Sequence, residues 1–294
     1  MQIIQTVHAL RAALNGQASI AFVPTMGNLH AGHIHLVELA KQHANCVVVS
    51  IFVNPLQFGA NEDLSAYPRT LAADYAKLKT SGANIVFTPS VAEIYPQMTE
   101  SGLGYQHLNQ DMTIQPPPIA NVLCGANRLS HFAGVATVVM KLFNMVQPDY
   151  AVFGKKDFQQ LFIIKEMVKQ FNLPIQIIAG ETVRNANGLA LSSRNSYLNE
   201  AQRVQAAQLN GVLQNIVVAI KNGDREFSVL ETLAHHHLSK QGWEVDYVSI
   251  RSADTLQLAS AKDRNLIVLG AAKINNKNFG KTRLIDNIAL FITN

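Results

Sequence analysis

Two histidines three residues apart, His30 and His33, sit where an apolar run gives way to a helical pattern. Ile20 to Val23 reads as a buried strand, and Leu36, Val37, Leu39 and Ala40 recur as on a helix. The segment between them, Pro24-Thr25-Met26-Gly27-Asn28-Leu29-His30-Ala31-Gly32-His33, is a strand-to-helix turn punctuated by proline and glycine. A helix N-terminus offers unpaired N–H groups and partial positive charge, which suits a phosphate. Two imidazoles there can donate to the same anion. The arrangement points to a nucleotide triphosphate and chemistry on its phosphates. The plain alternative is an ordinary helix start that carries two histidines.

Three other segments carry candidate chemistry. Gly154-Lys155-Lys156-Asp157 lies between a strand-like and a helix-like stretch. Its glycine lets backbone approach an anion, and a lysine ammonium is a point charge for phosphate oxygens. It lacks the second glycine of a Walker loop, and a solvated turn is its ordinary reading. Gly188-Leu189-Ala190-Leu191-Ser192-Ser193-Arg194 sets two hydroxyls before an arginine, donors suited to a polyphosphate. Taken alone, that stretch reads as a cap or turn. Asn54-Pro55-Leu56-Gln57-Phe58-Gly59 follows another strand-like run. Gln57 and Gln160 are amides able to read a hydroxyl or carboxylate, with Phe52 and Phe58 as apolar surface.

Other chemically suggestive residues are set aside. His235, His236 and His237 fall in a helical pattern, where consecutive side chains point about 100° apart and cannot converge on one metal. Arg69 and Arg128 are isolated arginines, and Trp243 reads as core or interface.

The elements that must position these residues follow from periodicity. Strand-like runs at 20–23, 47–52, 85–88, 150–153 and 175–179 alternate with helix-like stretches at 34–43, 71–81, 132–146 and 158–171. This predicts an α/β fold, a Rossmann-like parallel sheet with helices on both faces and ligands at the carboxyl ends of its strands. A long helix over 199–221 follows, with Asn199 as N-cap. A second helix is expected over 228–242, opened by a capping box of Ser228 and Glu231. Strands at 245–251, 266–274 and 282–290 complete a smaller α+β domain. The expected division is residues 1–183 and 184–294, near Gly180 and the polar run Arg184-Asn185-Ala186-Asn187-Gly188.

The 294 residues are 48% hydrophobic and 15% charged, which favours a packed core over disorder. A net charge of +4 with no basic block gives no argument for nucleic acid. Cys46 and Cys124 are far apart and form no metal-binding pair; Cys46 opens an apolar run and reads as a buried small side chain. No signal-peptide pattern or membrane-length apolar run is evident, so no membrane partner and a reducing cytoplasmic location are expected.

Together these residues resemble the pantoate–β-alanine ligase family of the nucleotidylyl-transferase superfamily. The resemblance rests on Val-Pro-Thr-Met-Gly-Asn-Leu-His (23–30), Val-Ser-Ile-Phe-Val-Asn-Pro (49–55) and Tyr-Pro-Arg-Thr (67–70). It continues in Lys-Leu-Phe-Asn-Met-Val-Gln-Pro-Asp (141–149), Lys-Asp-Phe-Gln-Gln (156–160), Leu-Ser-Ser-Arg-Asn (191–195) and Thr-Arg-Leu-Ile-Asp-Asn (282–287). The superfamily's H-x-G-H signature corresponds to His30-Ala31-Gly32-His33.

The resemblance implies a two-step ligation with ATP as co-substrate and Mg2+ as cofactor, in a homodimer. The carboxylate of (R)-pantoate attacks the α-phosphate of ATP, and β-alanine then attacks pantoyl adenylate to give pantothenate and AMP. It implies catalytic roles for His33, His30, Lys156 and Arg194, with His33 as proton donor. Met26, Gly27, Gly154, Lys155, Asp157, Val183, Leu191, Ser192 and Ser193 would complete the ATP site. Gln57 and Gln160 would orient pantoate beside an apolar wall of Pro24, Met26, Phe52, Val138 and Val139. No metal ligand is implied by residue.

Three features depart from the family pattern. Lys155 replaces a usual glutamate, which alters local charge while keeping Lys156. Cys124 replaces a frequent glutamate. The stretch 97–121 is longer than usual. Two competing readings share the histidine pair. One is a nucleotidylyltransferase acting on a phosphorylated partner, and the other is a non-catalytic nucleotide-binding or tRNA-synthetase-like protein. The first does not predict Gln57 with Gln160, and the second calls for a basic module that the sequence lacks.

Overall fold

The computed structural model describes residues 1–59, 64–96, 110–276 and 280–292. Of the longer stretch noted above, 97–109 lies outside the described residues. The chain divides into two compact units. The first comprises Met1–Asn121, Arg128–Lys155 and Gln160–Glu181. The second comprises Val122–Asn127, Lys156–Gln159 and Thr182–Asn294.

The first unit is built on six parallel strands: β1 (Gln2–Ile4), β2 (Ile20–Thr25), β3 (Cys46–Ile51), β4 (Ile85–Phe87), β5 (Tyr150–Gly154) and β6 (Gln176–Gly180). Their order is β1-β4-β3-β2-β5-β6. The chain runs outward from β2 through β3 to β4, then returns to place β5 on β2's other side. The sheet therefore switches direction between β2 and β5, where open α/β sheets take their ligands.

Burial on both faces explains the unbroken apolar strands. Ile20, Phe22, Cys46, Val48, Ile85 and Phe87 face one core, with α1 (Val7–Leu14), α6 (His131–Val146) and α7 (Phe158–Gln170) packed there; two single-turn helices, α4 (Val91–Ile94) and α5 (Cys124–Asn127), precede α6 in the chain. Ala21, Val23, Val47, Val49 and Val86 face the other, against α2 (Ala31–Lys41) and α3 (Leu71–Ser81). Helix α3 stops at Gly82, whose left-handed φ of 82° lets its N–H return to the carbonyls of Leu78 and Lys79. β1 and α1 carried no sequence expectation: one strand is three residues long and the helix covers only two turns.

In the second unit α8 (Glu200–Lys221) and α9 (Phe227–Lys240) pack on an antiparallel sheet of β7 (Glu244–Ser252), β8 (Asn265–Asn276) and β9 (Gly280–Phe291), in the order β7-β8-β9. Asn199 caps α8, as the sequence indicates, and Gln202 completes a capping box with it. Trp243 is buried in this core. The three consecutive histidines are exposed on α9, spread as their spacing requires.

The expected capping box of α9 does not form. The helix starts a residue earlier, at Phe227, whose side chain is drawn into the core, and Glu226 occupies the cap position without a side-chain bond. Glu231 instead turns to the sheet and accepts a 2.6 Å hydrogen bond from the Ile250 amide. Burial raises its carboxyl pKa, against the opposing pull of the Ile250 amide and of Arg251.

That shift gives a signed prediction. A carboxyl whose folded pKa is raised holds its proton more tightly when folded, so its contribution to stability falls as pH rises from about 4.5 through the folded value. Glu231→Gln keeps an acceptor for Ile250 and removes the buried charge. Denaturant unfolding is expected to show the variant gaining stability relative to the native protein as pH rises from 4 to 7. A constant difference over that interval would contradict this account.

Candidate active site

The turn after β2 is the focus of the first unit. Gly27 (φ 83°) and Asn28 (φ 49°) lie in succession in left-handed backbone, reversing the chain before α2. His30 is the N-cap of α2, and its Nδ1 accepts from the Gly32 amide at 3.1 Å. The Nδ1 of His33 accepts from the His30 amide at 3.3 Å. A backbone N–H can only donate, so both rings, when neutral, carry their proton on Nε2. The ring centroids are 4.1 Å apart. The motif thus supplies two oriented imidazole N–H donors at a helix N-terminus, an arrangement suited to phosphate oxygens.

The turn after β3 presents Gln57, which is buried and held by a directional network. Burial pushes the Tyr95 phenol pKa well above its ordinary value, so Oη keeps its proton and donates to Asn54 Oδ1 at 2.7 Å. Asn54 Nδ2 then donates to Gln57 Oε1 and to the Gly134 carbonyl, each at 3.2 Å. The Gln57 amide donates to Met26 Sδ at 3.0 Å, joining the turns after β2 and β3.

The Gln57 carbonyl accepts from His131 Nδ1 at 2.8 Å, which leaves His131 Nε2 to accept from Arg128 at 2.8 Å. Arg128, set aside from the sequence, is therefore part of the scaffold behind Gln57. Val138 and Val139 are buried on α6 in the same core as Phe52. Phe52 lies 6.2 Å from the Tyr95 ring. Pro24 is partly buried just beyond the buried part of β2, and Gln160 lies partly buried in the first turn of α7. Gly154 closes β5, and Lys155 forms an ion pair with Glu181. The positive charge of Lys155 is thus matched by a carboxylate within the same unit.

In the second unit Val183 and Leu191 are joined by a 2.9 Å backbone bond across a short hairpin. Ser192 caps a 3-10 turn over Ser193–Tyr197, its Oγ accepting from the Arg194 amide at 3.3 Å. This is the capping role the sequence allowed for the segment, and it fixes the backbone of Ser193 and Arg194. Lys156 is anchored by its carbonyl, which accepts from Asn287 Nδ2 at 2.8 Å. Desolvation lowers its ammonium pKa, while the carboxylates of Asp157 and Asp286 pull upward and Arg194 adds to the lowering. An ammonium desolvated in this way gains from a further anion.

Residues 282–287 acquire a physical role here that no single residue type announced. Asp286 takes Arg184 in a fork at 2.6 and 2.8 Å and also accepts from Asn210 at 3.1 Å. Arg283 donates to Asp246 at 2.7 Å and to Cys124 Sγ at 3.5 Å. Cys124 is buried, 3.1 Å from Tyr247 Oη. The Cys124 thiol is therefore packed against a phenol and a guanidinium.

The first unit defines a class: a doubly wound α/β nucleotide-binding domain with paired histidines at the turn after its central strand. Comparison with known proteins narrows that class. The family model for pantoate-beta-alanine ligase matches residues 2–289. Pantothenate synthetase of Methylobacillus flagellatus is 62% identical over 288 residues, 98% of each chain. That of Thiobacillus denitrificans is 54% identical over 98% of this chain and 96% of its own. Among solved structures, pantothenate synthetase from Thermus thermophilus superposes with a TM-score of 0.88 at 38% identity, covering 98% of this chain and 99% of that one. Pantoate-beta-alanine ligase from Francisella tularensis, complexed with beta-gamma ATP and beta-alanine, gives 0.79 at 33% identity over 98% and 97%. The chain belongs to the pantoate–β-alanine ligase family.

The closeness of α6 to Gln57 is testable through stability. A Cβ on Gly134 would collide with the Leu56 carbonyl oxygen and lie 2.8 Å from the Gln57 amide nitrogen. Gly134→Ala is expected to destabilise the protein by about 1–3 kcal/mol, since helix or turn must move. Urea unfolding measures this, and unchanged stability would contradict the close approach.

Proposed function

We propose that this protein joins (R)-pantoate to β-alanine, converting ATP to AMP and diphosphate through a pantoyl-adenylate intermediate. The observation that carries the reading is full-length family membership in a chain whose histidine pair presents oriented donors at the start of α2. The Francisella relative, complexed with beta-gamma ATP and beta-alanine, supports those two substrates.

In the first step a pantoate carboxylate oxygen attacks the α-phosphorus, and the bond to the β-phosphate oxygen breaks. His30 and His33 stabilise the charge growing on the α-phosphoryl oxygens, with His33 as proton donor. Lys156, Arg194, Ser192 and Ser193 hold the triphosphate and then the leaving diphosphate. Met26, Gly27, Gly154, Lys155, Asp157, Val183 and Leu191 complete the nucleotide's surroundings. Gln57 and Gln160 orient the hydroxyl and carboxylate of pantoate, while Pro24, Met26, Phe52, Val138 and Val139 receive its methyl groups. In the second step the neutral amine of β-alanine attacks the acyl carbon, AMP departs, and the amine loses its extra proton. Catalysis here is positioning plus electrostatics, with no covalent enzyme intermediate.

Mg2+ belongs to the proposal as the companion of ATP. When bound with ATP it would neutralise phosphate charge. Such an ion requires no all-protein cage, which fits the lack of a cluster of three or more histidine, cysteine or acidic ligands among the described residues. A homodimer in the cytoplasm completes the reading, supported by the family resemblance. Among the described residues no helix is long and apolar enough to cross a membrane.

Incubation with ATP, Mg2+, (R)-pantoate and β-alanine is expected to yield AMP and pantothenate in equal amounts. AMP formed only with a different acceptor would overturn the ligase reading. His33→Ala is expected to lower pantoate-dependent diphosphate–ATP exchange roughly a hundredfold or more while the protein stays folded. Normal exchange would remove His33 from the mechanism. Light scattering is expected to give twice the 32.2 kDa chain mass, and a single-chain mass would contradict the dimer.

A further inference from the structure

The histidine pair is held from outside its own motif. Asp74 on α3 is fully buried. Its Oδ2 accepts from the Asn28 amide at 2.9 Å and from Thr70 Oγ1 at 3.1 Å, and its Oδ1 accepts from the Leu29 amide at 2.8 Å. One helical turn on, Lys77 Nζ donates to the Leu29 carbonyl at 2.6 Å. Helix α3 therefore grips both polar groups of the Leu29 backbone, immediately before His30.

The turn is shaped for this grip. Consecutive left-handed residues, Gly27 and Asn28, aim neighbouring amides at one point, a concavity that binds anions. Here the anion is internal. A Cβ on Gly27 would lie 3.2 Å from Asp74 Oδ2 and 3.0 Å from Ile51 Cγ2, so the turn is pressed onto the carboxylate. The path continues through His30, whose amide is the donor to His33 Nδ1. Displacing Leu29 displaces the His30 amide and with it the bond that orients His33.

We propose that Asp74, assisted by Lys77, is a positioning residue for the adenylation step: its carboxylate fixes the turn that sets His30 and His33 against the α-phosphate. This rests on the reading that the two histidines contact that phosphate. Asparagine cannot replace the carboxylate, because its amide nitrogen would face a backbone N–H where an acceptor is required. A misplacement near 1 Å is worth up to about a hundredfold in rate.

The test is pantoate-dependent diphosphate–ATP exchange by purified Asp74→Asn, Lys77→Met, Lys77→Arg and His33→Ala, with thermal unfolding to establish folding. In folded Asp74→Asn, kcat is expected to fall roughly tenfold or more, with KM for ATP and pantoate within about twofold. Amide hydrogen exchange at Asn28 and Leu29 is expected to quicken. Lys77→Met is expected to lose kcat about threefold and Lys77→Arg to retain it, since arginine can still donate to the Leu29 carbonyl. This pair decides the matter if Asp74→Asn does not fold. A kcat within about twofold of native in folded Asp74→Asn, beside lost exchange in His33→Ala, would overturn the positioning role alone. Retained exchange in His33→Ala would overturn the phosphate role, and the positioning inference with it.

Discussion

Burial of the parallel sheet on both faces is the constraint from which the rest of the first unit follows. Phe22 and Val48 point into one core while Val23 and Val49 point into the other, so the central strands β2 and β3 are committed to packing. Polar chemistry is confined to where the strands end. Parallel strands all end on the same edge, so the turns after β2 and β3 become neighbours there. The sulfur of Met26 accepting from Gln57 is the direct consequence: residues thirty-one apart in sequence meet because their strands are paired in register.

Rigidity at that edge comes from hydrogen bonds with a defined direction. Tyr95, Asn54, Gln57 and Met26 form a relay in which each donor and acceptor is assigned by its neighbour, starting from a phenol that burial keeps protonated. His131 and Arg128 support the same glutamine from behind through its carbonyl. The second unit follows the same logic around Lys156, whose carbonyl is tied to Asn287 while Asp286 ties Arg184 and Asn210 to the same strand. In each unit the residues named for chemistry are few, and a larger set of buried polar residues holds them still. Such networks stabilise a single geometry because each member left without its partner costs desolvation free energy.

Much of this was legible in the sequence where a pattern is local. The β-branched runs and the 3.6-residue repeat marked the central strands and helices to within a few residues. The Asn199 cap was legible because capping depends on adjacent residues; the Ser228 box failed because tertiary burial of Phe227 and the demand of the Ile250 amide drew the helix start and Glu231 elsewhere. Asn54, Asp74, Tyr95 and His131 carried no such signal. An aspartate inside a helix reads as a surface residue, and only its proximity to Asn28 and Leu29, across more than forty residues of chain, reveals its task. Roles that depend on which buried amide needs an acceptor are set by tertiary contact, so no spacing within a single element encodes them.

The proposed task of the turn after β2 is to place His30 and His33 against the phosphates of ATP. The most direct measurement is a crystal structure of the protein with a non-hydrolysable ATP analogue, Mg2+ and (R)-pantoate. The expected result is Nε2 of both histidines within about 3.2 Å of α-phosphate or bridging oxygens, with Nδ1 still accepting from the backbone of α2. Phosphates bound away from this turn, or either ring turned so that Nδ1 meets the nucleotide, would contradict it.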